Sequence, residues 1–161
     1  EKLYTQQKFS SEDCFKSLLI LYKWIDAMTY QDMSEHFDAE PGDIFYIKEN
    51  AKDLTYTFTE IVKFWRDHAK ENDQKKIVSE YQNLIDELDL LRLQIVHGVP
   101  EKYLELVKIK QIGRVRAQIL YKNGYKNKTS LKKAPLEKLA AIDKIGAILA
   151  KSIKSQVEKV R

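Results

Sequence analysis

The chain has 161 residues, 43% of them hydrophobic and 32% charged, with a mean hydropathy of −0.49. That is enough for one core or two small ones and too apolar for disorder, while the longest unbroken apolar run, Leu18 to Tyr22, falls far short of the roughly 20 residues a membrane span needs. A lone cysteine, Cys14, excludes an internal disulfide and a cysteine zinc cluster and suits a reducing cytoplasm, and none of Gly42, Gly98, Gly113, Gly124 and Gly146 opens a phosphate loop.

The net charge of +4 is unevenly divided. Residues 1–97 hold 12 basic and 19 acidic side chains, net −7, and residues 98–161 hold 16 and 5, net +11. A block this basic is the electrostatic footprint of a phosphate-binding surface, although charge alone is equally compatible with a lysine-rich solvated face. Four of the five glycines and two of the three prolines also fall from Gly98 onward, so a domain boundary is expected near His97 to Pro100, giving domains 1–97 and 98–161. The sequence opens at Glu1 rather than Met, and a piece of a longer polypeptide is expected.

Helical spacing recurs along the whole chain and no segment alternates cleanly as a strand would. Ser10 or Ser11, followed by Glu12 and Asp13, caps a first helix whose apolar face reads Phe15, Leu18, Leu19, Tyr22, Ile25. Thr29 with Asp32 three residues on resembles a capping box and starts a short helix carrying Met33 and Phe37. Pro41-Gly42-Asp43 turns into a long helix with the stripe Ile44, Ile47, Ala51, Leu54, Phe58, Ile61, Trp65. After a polar stretch, Ile77, Tyr81, Leu84, Leu88, Leu91 and Ile95 mark a second long helix. These stripes are expected to be core, and Trp24, Tyr46, Tyr56 and Trp65 are read as core sooner than as base-stacking platforms. Beyond them, Pro100 suits a first helical position ahead of Tyr103, Leu104, Leu106 and Val107, Gly124 a helix C-terminus, and Pro135 another helix start.

The second half repeats itself. Ile112-Gly113-Arg114-Val115-Arg116-Ala117 and Ile145-Gly146-Ala147-Ile148-Leu149-Ala150 share I-G-x-x-x-A, 33 residues apart. This is the helix-hairpin-helix pattern: an apolar anchor and a glycine launch a second helix whose N-terminal amides offer a phosphate site with no base reading. Ile112 and Ile145 are the expected anchors, and Ala117 and Ala150 the close-packing positions. Gln111 and Lys144 stand where a first glycine is commoner. The residues assigned to DNA are Lys108, Lys110, Ile112, Gly113, Arg114, Val115, Arg116, Lys144 and Gly146, with the first hairpin favoured as the binding copy because Arg114 and Arg116 flank it. No catalytic residue and no metal site is assigned: His36, His68 and His97 are scattered, and Asp86, Glu87 and Asp89 read as a solvated face.

From His97-Gly98-Val99 through Tyr103-Leu104-Glu105-Leu106-Val107 to the first hairpin and Leu120-Tyr121, the sequence resembles the C-terminal end of archaeal superfamily-two repair helicases, the Holliday-junction-migration helicases related to human helicase Q. The segment Thr29 to Ala51 is similar to that family's helical ratchet domain. The resemblance implies an all-α fold, a helical bundle followed by a small tandem helix-hairpin-helix domain, with ATP and Mg²⁺ bound only by motor domains of the parent chain. It implies 3′ to 5′ unwinding by the parent, with this part guiding and gripping single-stranded or forked DNA through phosphates and having no enzymatic activity itself. Where the family's ratchet helix offers an Arg and, seven residues later, a Trp, the matching positions here are Tyr46 and Asp53, and the hairpin's Arg-x-Arg-Ala-Arg run stops at Gln118. A cytoplasmic monomer without membrane contact is expected. Two rivals stand beside this reading: a protein-interaction module in which the hairpins pack against a partner and the acidic bundle is the docking surface, which predicts little salt-sensitive DNA binding, and the DNA-binding tail of a structure-specific nuclease, which predicts a carboxylate-rich metal site upstream in place of motor motifs.

Overall fold

The computed structural model describes residues 10–158, which form nine α-helices with no strand among them. Helix α1 spans Ser11–Ile25, α2 Tyr30–Phe37, α3 Pro41–Glu71 and α4 Lys75–His97; a 3₁₀ turn, Glu101–Tyr103, then leads into α5 (Leu104–Val107), α6 (Arg114–Lys122), α7 (Lys128–Lys133), α8 (Leu136–Ala140) and α9 (Gly146–Glu158). None of these helices is long and apolar enough to cross a membrane.

The helix starts follow from local chemistry. The Ser10 hydroxyl accepts from the Asp13 amide while the Asp13 carboxylate accepts from the Ser10 amide, closing a capping box. Thr29 accepts from the Asp32 amide at α2, and at α3 Asp43 accepts from the Glu40 amide with Pro41 as the first helical residue. Pro100 and Pro135 each sit one position earlier than expected, as the cap residue before a turn or helix.

Two side-chain clusters are buried. Ile20, Trp24, Met33, Ala39 and Ile44 join α1, α2 and the start of α3; a larger cluster gathers the apolar residues from Val99 to Val157 together with Ala27, with Leu90 and Leu93 of α4 packed against it. The expected faces of the first four helices are corrected by this packing. In α1, Phe15, Leu18 and Tyr22 are exposed, and burial falls on Ile20 and Trp24 because this helix is apolar on two sides and Trp24 selects between them. In α3, Leu54, Phe58, Ile61 and Trp65 are exposed while Thr55, Thr59 and Ala69 face inward. Small residues let α4 lie close, and the buried threonines are satisfied by their own helix: Thr55 Oγ1 donates to Ala51 O at 2.8 Å and Thr59 Oγ1 to Thr55 O at 2.9 Å. In α4, Ile85 and Ile95 are buried, whereas Ile77, Leu84 and Leu91, spaced by seven, are exposed. Tyr46 and Tyr56 are likewise on the surface and not in the core.

Antiparallel α3 and α4 pair along their length, with Arg66 donating to Gln82 at 2.8 Å and the Arg92 guanidinium lying over Tyr56. By helical phase, the exposed stripes Leu54-Phe58-Ile61-Trp65 and Ile77-Leu84-Leu91 lie on the same flank of this hairpin and form one apolar face.

At its far end α4 stops at Gly98, whose φ of +60° supplies the left-handed cap. A Cβ at this position would stand 2.5 Å from Trp24 Cε2, so both backbone and space demand glycine. Gly98→Ala is expected to destabilise the chain by about 2 kcal/mol or more, lowering the thermal midpoint by roughly 4–8 °C; an unchanged midpoint would contradict this packing.

His97 precedes that cap. Burial holds its imidazole below its ordinary value, and the Lys108 ammonium adds to the effect. The folded chain therefore resists a proton that the unfolded chain accepts, so stability falls as the pH drops from roughly 7 toward 5. Asp13 and Asp67, held low by their hydrogen-bond donors, contribute only at more acidic pH. The thermal midpoint should decline across that upper window, and His97→Gln should flatten the decline.

Candidate nucleic-acid interface

The two hairpins are built on the same buried positions. Leu106 and Leu139, Ile109 and Ile142, Ile112 and Ile145, Ala117 and Ala150, and Leu120 and Ile153 are each 33 residues apart, and all ten are buried. The turn bonds repeat as well: the Ile112 amide donates to Ile109 O at 3.0 Å and the Ile145 amide to Ile142 O at 3.1 Å. Sequence reasoning identified the isoleucine anchors and the alanines; it missed the leucine and first isoleucine of each turn, though L-x-x-I-x-x-I stands at the same spacing in both copies.

Gln111 and Lys144 adopt φ of +70° and +59°. The positions that glycine commonly fills keep the left-handed turn without it, at a cost of about 1 kcal/mol each. The copies diverge at the next glycine, since Gly113 is extended with φ −85° whereas Gly146 has φ +63°.

Arg116 fastens the two turns together. Its Nε donates to Lys144 O at 3.0 Å and its Nη1 to Gln111 O at 2.8 Å, so one guanidinium spans both hairpins at the surface. Around it lie two adjoining shallow concavities. One is lined by Gly113, Arg114, Val115, Arg116 and Lys144, and the other by Gln111, Arg116, Ile145, Ile148 and Leu149. Lys108, Lys110 and Lys144 are exposed, and the Lys110 backbone is tied to α9 by Gln156, whose Oε1 accepts from the Lys110 amide at 2.8 Å. Ile112, assigned to DNA from sequence, is buried and serves as an anchor only.

Arg114 is placed differently from expectation. Its guanidinium lies 4.2 Å from the Trp24 ring centroid and 5.3 Å from that of Tyr30, and its Nη2 donates to Met28 O at 2.9 Å. Burial lowers its pKa, with Tyr30 acting in the opposite sense. Gln118, further along the same helix, donates to Ala27 O at 3.3 Å. The first hairpin's second helix is thus held on the α1–α2 connection, and Arg114 is a joint between the two halves. Tyr46 and Asp53 are both exposed on one side of α3, seven residues apart.

Comparison with known proteins finds matches to both halves of the chain. The family model described as archaeal helicase, domain 4, matches residues 2–79, and that described as a SAM-like helix-hairpin-helix tandem matches residues 103–159. The chain is 31% identical over 157 residues to the ATP-dependent DNA helicase Hel308 of Pyrococcus abyssi and 32% identical over 158 residues to that of Pyrococcus horikoshii, in each case covering 95% of this chain and 20% of the relative. The Hel308 of Thermococcus kodakarensis is 29% identical over 160 residues, 13% of its length. The chain therefore spans about a fifth or less of the length of these curated relatives.

Since the Arg114 stack and the Arg116 bridge do different work, their removal should read out differently. Arg114→Ala is expected to lower folding stability by about 1–2 kcal/mol in urea denaturation, and Arg116→Ala, at an exposed site, by less than half as much.

Proposed function

The chain belongs to the archaeal Hel308 helicase family, as domain 4 joined to a helix-hairpin-helix tandem, and from that premise we propose that it is the DNA-guiding part of an ATP-dependent helicase. The observation that carries this reading is the Arg116 bridge, which sets two hairpin turns side by side on the half of the chain with net charge +11. Two amide-bearing turns fixed at one spacing meet a phosphate backbone at two points without reading bases, and Lys110 and Lys144 are exposed on the turns themselves, whereas Lys108 lines a separate concavity with Glu101 and Glu105. Single-stranded or forked DNA is the substrate class, because the strand leaving a helicase is single. ATP and Mg²⁺ belong to motor domains of the longer protein, and this part hydrolyses nothing itself.

The bundle has a different task. Tyr46 is exposed and free to stack on a base, whereas Asp53 repels phosphate, so the acidic bundle guides a strand more weakly than it is held by the hairpins.

Fluorescence anisotropy of the chain on a labelled single strand, repeated across a salt series, tests the proposal. Binding should weaken linearly in log-log form. The double variant Arg116→Ala with Lys144→Ala should bind more weakly on unrelated sequences, with a slope reduced by roughly 0.7 for each phosphate that it no longer neutralises. A slope unchanged by the double variant would remove Arg116 and Lys144 from the phosphate contacts, and binding with no salt dependence at all would remove the hairpins from the interface.

A further inference from the structure

One side chain on the hairpin surface has no structural reason to be apolar. Ile148 is 89% exposed, the most exposed large hydrophobic residue among those described, and it stands on the first turn of α9. Its counterpart 33 residues earlier is Val115, on the first turn of α6, which is 43% exposed. The repeat thus places a β-branched apolar side chain outward at the same position of both hairpins, while the repeated leucine, isoleucine and alanine positions named above point into the core. Both flank the Arg116 bridge, since Val115 lines one of the adjoining concavities and Ile148 the other.

Resting on the DNA reading above, we propose that Ile148, seconded by Val115, is an apolar wedge that packs on the bases or sugars of a strand held by the hairpins, so that the site prefers nucleic acid whose bases are unpaired. Charge complementarity commits the surface to this occupant: Val115 shares a concavity with Arg116 and Lys144, and Ile148 one with Arg116, in a block of net charge +11, which suits a polyanion and opposes a basic partner. Phosphates are drawn to these cations and the strand's nonpolar faces are left over the isoleucine. Apolar side chains inserted between base steps in this way partly unstack them. A paired duplex keeps its bases sheltered behind two backbones and offers Ile148 little to cover, whereas an open strand offers base faces directly. The second hairpin is then a working half of the interface, although it lacks the arginines of the first.

The test uses the whole chain and a single-stranded oligonucleotide carrying 2-aminopurine between adenines, whose fluorescence rises on unstacking. The wild-type chain should bind with a salt-dependent affinity and raise the fluorescence. Ile148→Ser should bind roughly tenfold more weakly, abolish the fluorescence rise and leave the log-log salt slope unchanged, because no charge is altered. Ile148→Phe should retain both affinity and signal. At so exposed a position the substitutions leave the fold intact. If Ile148→Ser binds like the wild type and still unstacks the probe, the wedge is overturned while the phosphate-binding role stands. If the wild-type chain shows no salt-dependent binding, the DNA reading fails and the wedge fails with it.

Discussion

The indole of Trp24 is the point on which the two halves of the chain are assembled. Its Nε1 donates to Ile95 O at 2.7 Å, its ring packs 5.2 Å from Tyr30, Lys48 of α3 lies over one part of it, and the Arg114 guanidinium of the first hairpin stacks against it. Gly98, which ends α4 and hands the chain to the basic half, sits so close that only a residue without a side chain fits. Helices α1, α2, α3, α4 and α6 therefore meet at a single aromatic side chain. The connection between the halves is a capped helix end seated on that ring, followed at once by the fully buried Val99, and not an open linker. A shift in charge and glycine content at residue 98 located the change of composition, but nothing in composition could indicate how firmly the two halves are fastened.

What the sequence made legible was whatever is decided within a few residues. The Ser10 and Thr29 caps, the Pro41 start and the left-handed Gly124 all depend on neighbours in the chain and are found where the sequence put them, although the full capping box expected of Thr29 and Asp32 closes at Ser10 and Asp13 instead. The hairpin anchors were equally readable, because a repeat states the same packing requirement twice. The faces of α1, α3 and α4 were not. Each of these helices has more apolar surface than the described residues bury, so periodicity offered two stripes and no means of choosing. In α3 the choice ran against hydrophobicity altogether, with Thr55 and Thr59 inside and Phe58 and Trp65 outside, since close approach of α4 favoured small side chains. A rule that matches apolar residues to core fails wherever two helices approach closely enough to favour small side chains between them.

Arg114 illustrates a second limit. In the sequence it is one of two arginines flanking a phosphate-binding motif, and electrostatics assigns both to the ligand. The structure separates them by what each can reach: Arg116 reaches two carbonyl oxygens that cross-link the turns, and Arg114 reaches two aromatic rings and a carbonyl some 86 residues earlier in the chain. An arginine's planar fork and its affinity for aromatic faces make it as useful for joining domains as for binding anions. Only the position of Trp24 and Tyr30 in three dimensions decides between those uses.

The length of α3 has a mechanical consequence. From Lys48, which lies over Trp24, to the end of the helix at Glu71 is about 35 Å at the rise of an α-helix. With α4 bound along it, the pair is a stiff arm rooted at the same ring that holds the first hairpin. A tilt of about 5° at the root displaces the tip by roughly 3 Å, and a push on the tip is returned to the root with the corresponding gain in force. The far end of α3 and the first hairpin are thereby both referred to one ring, Trp24.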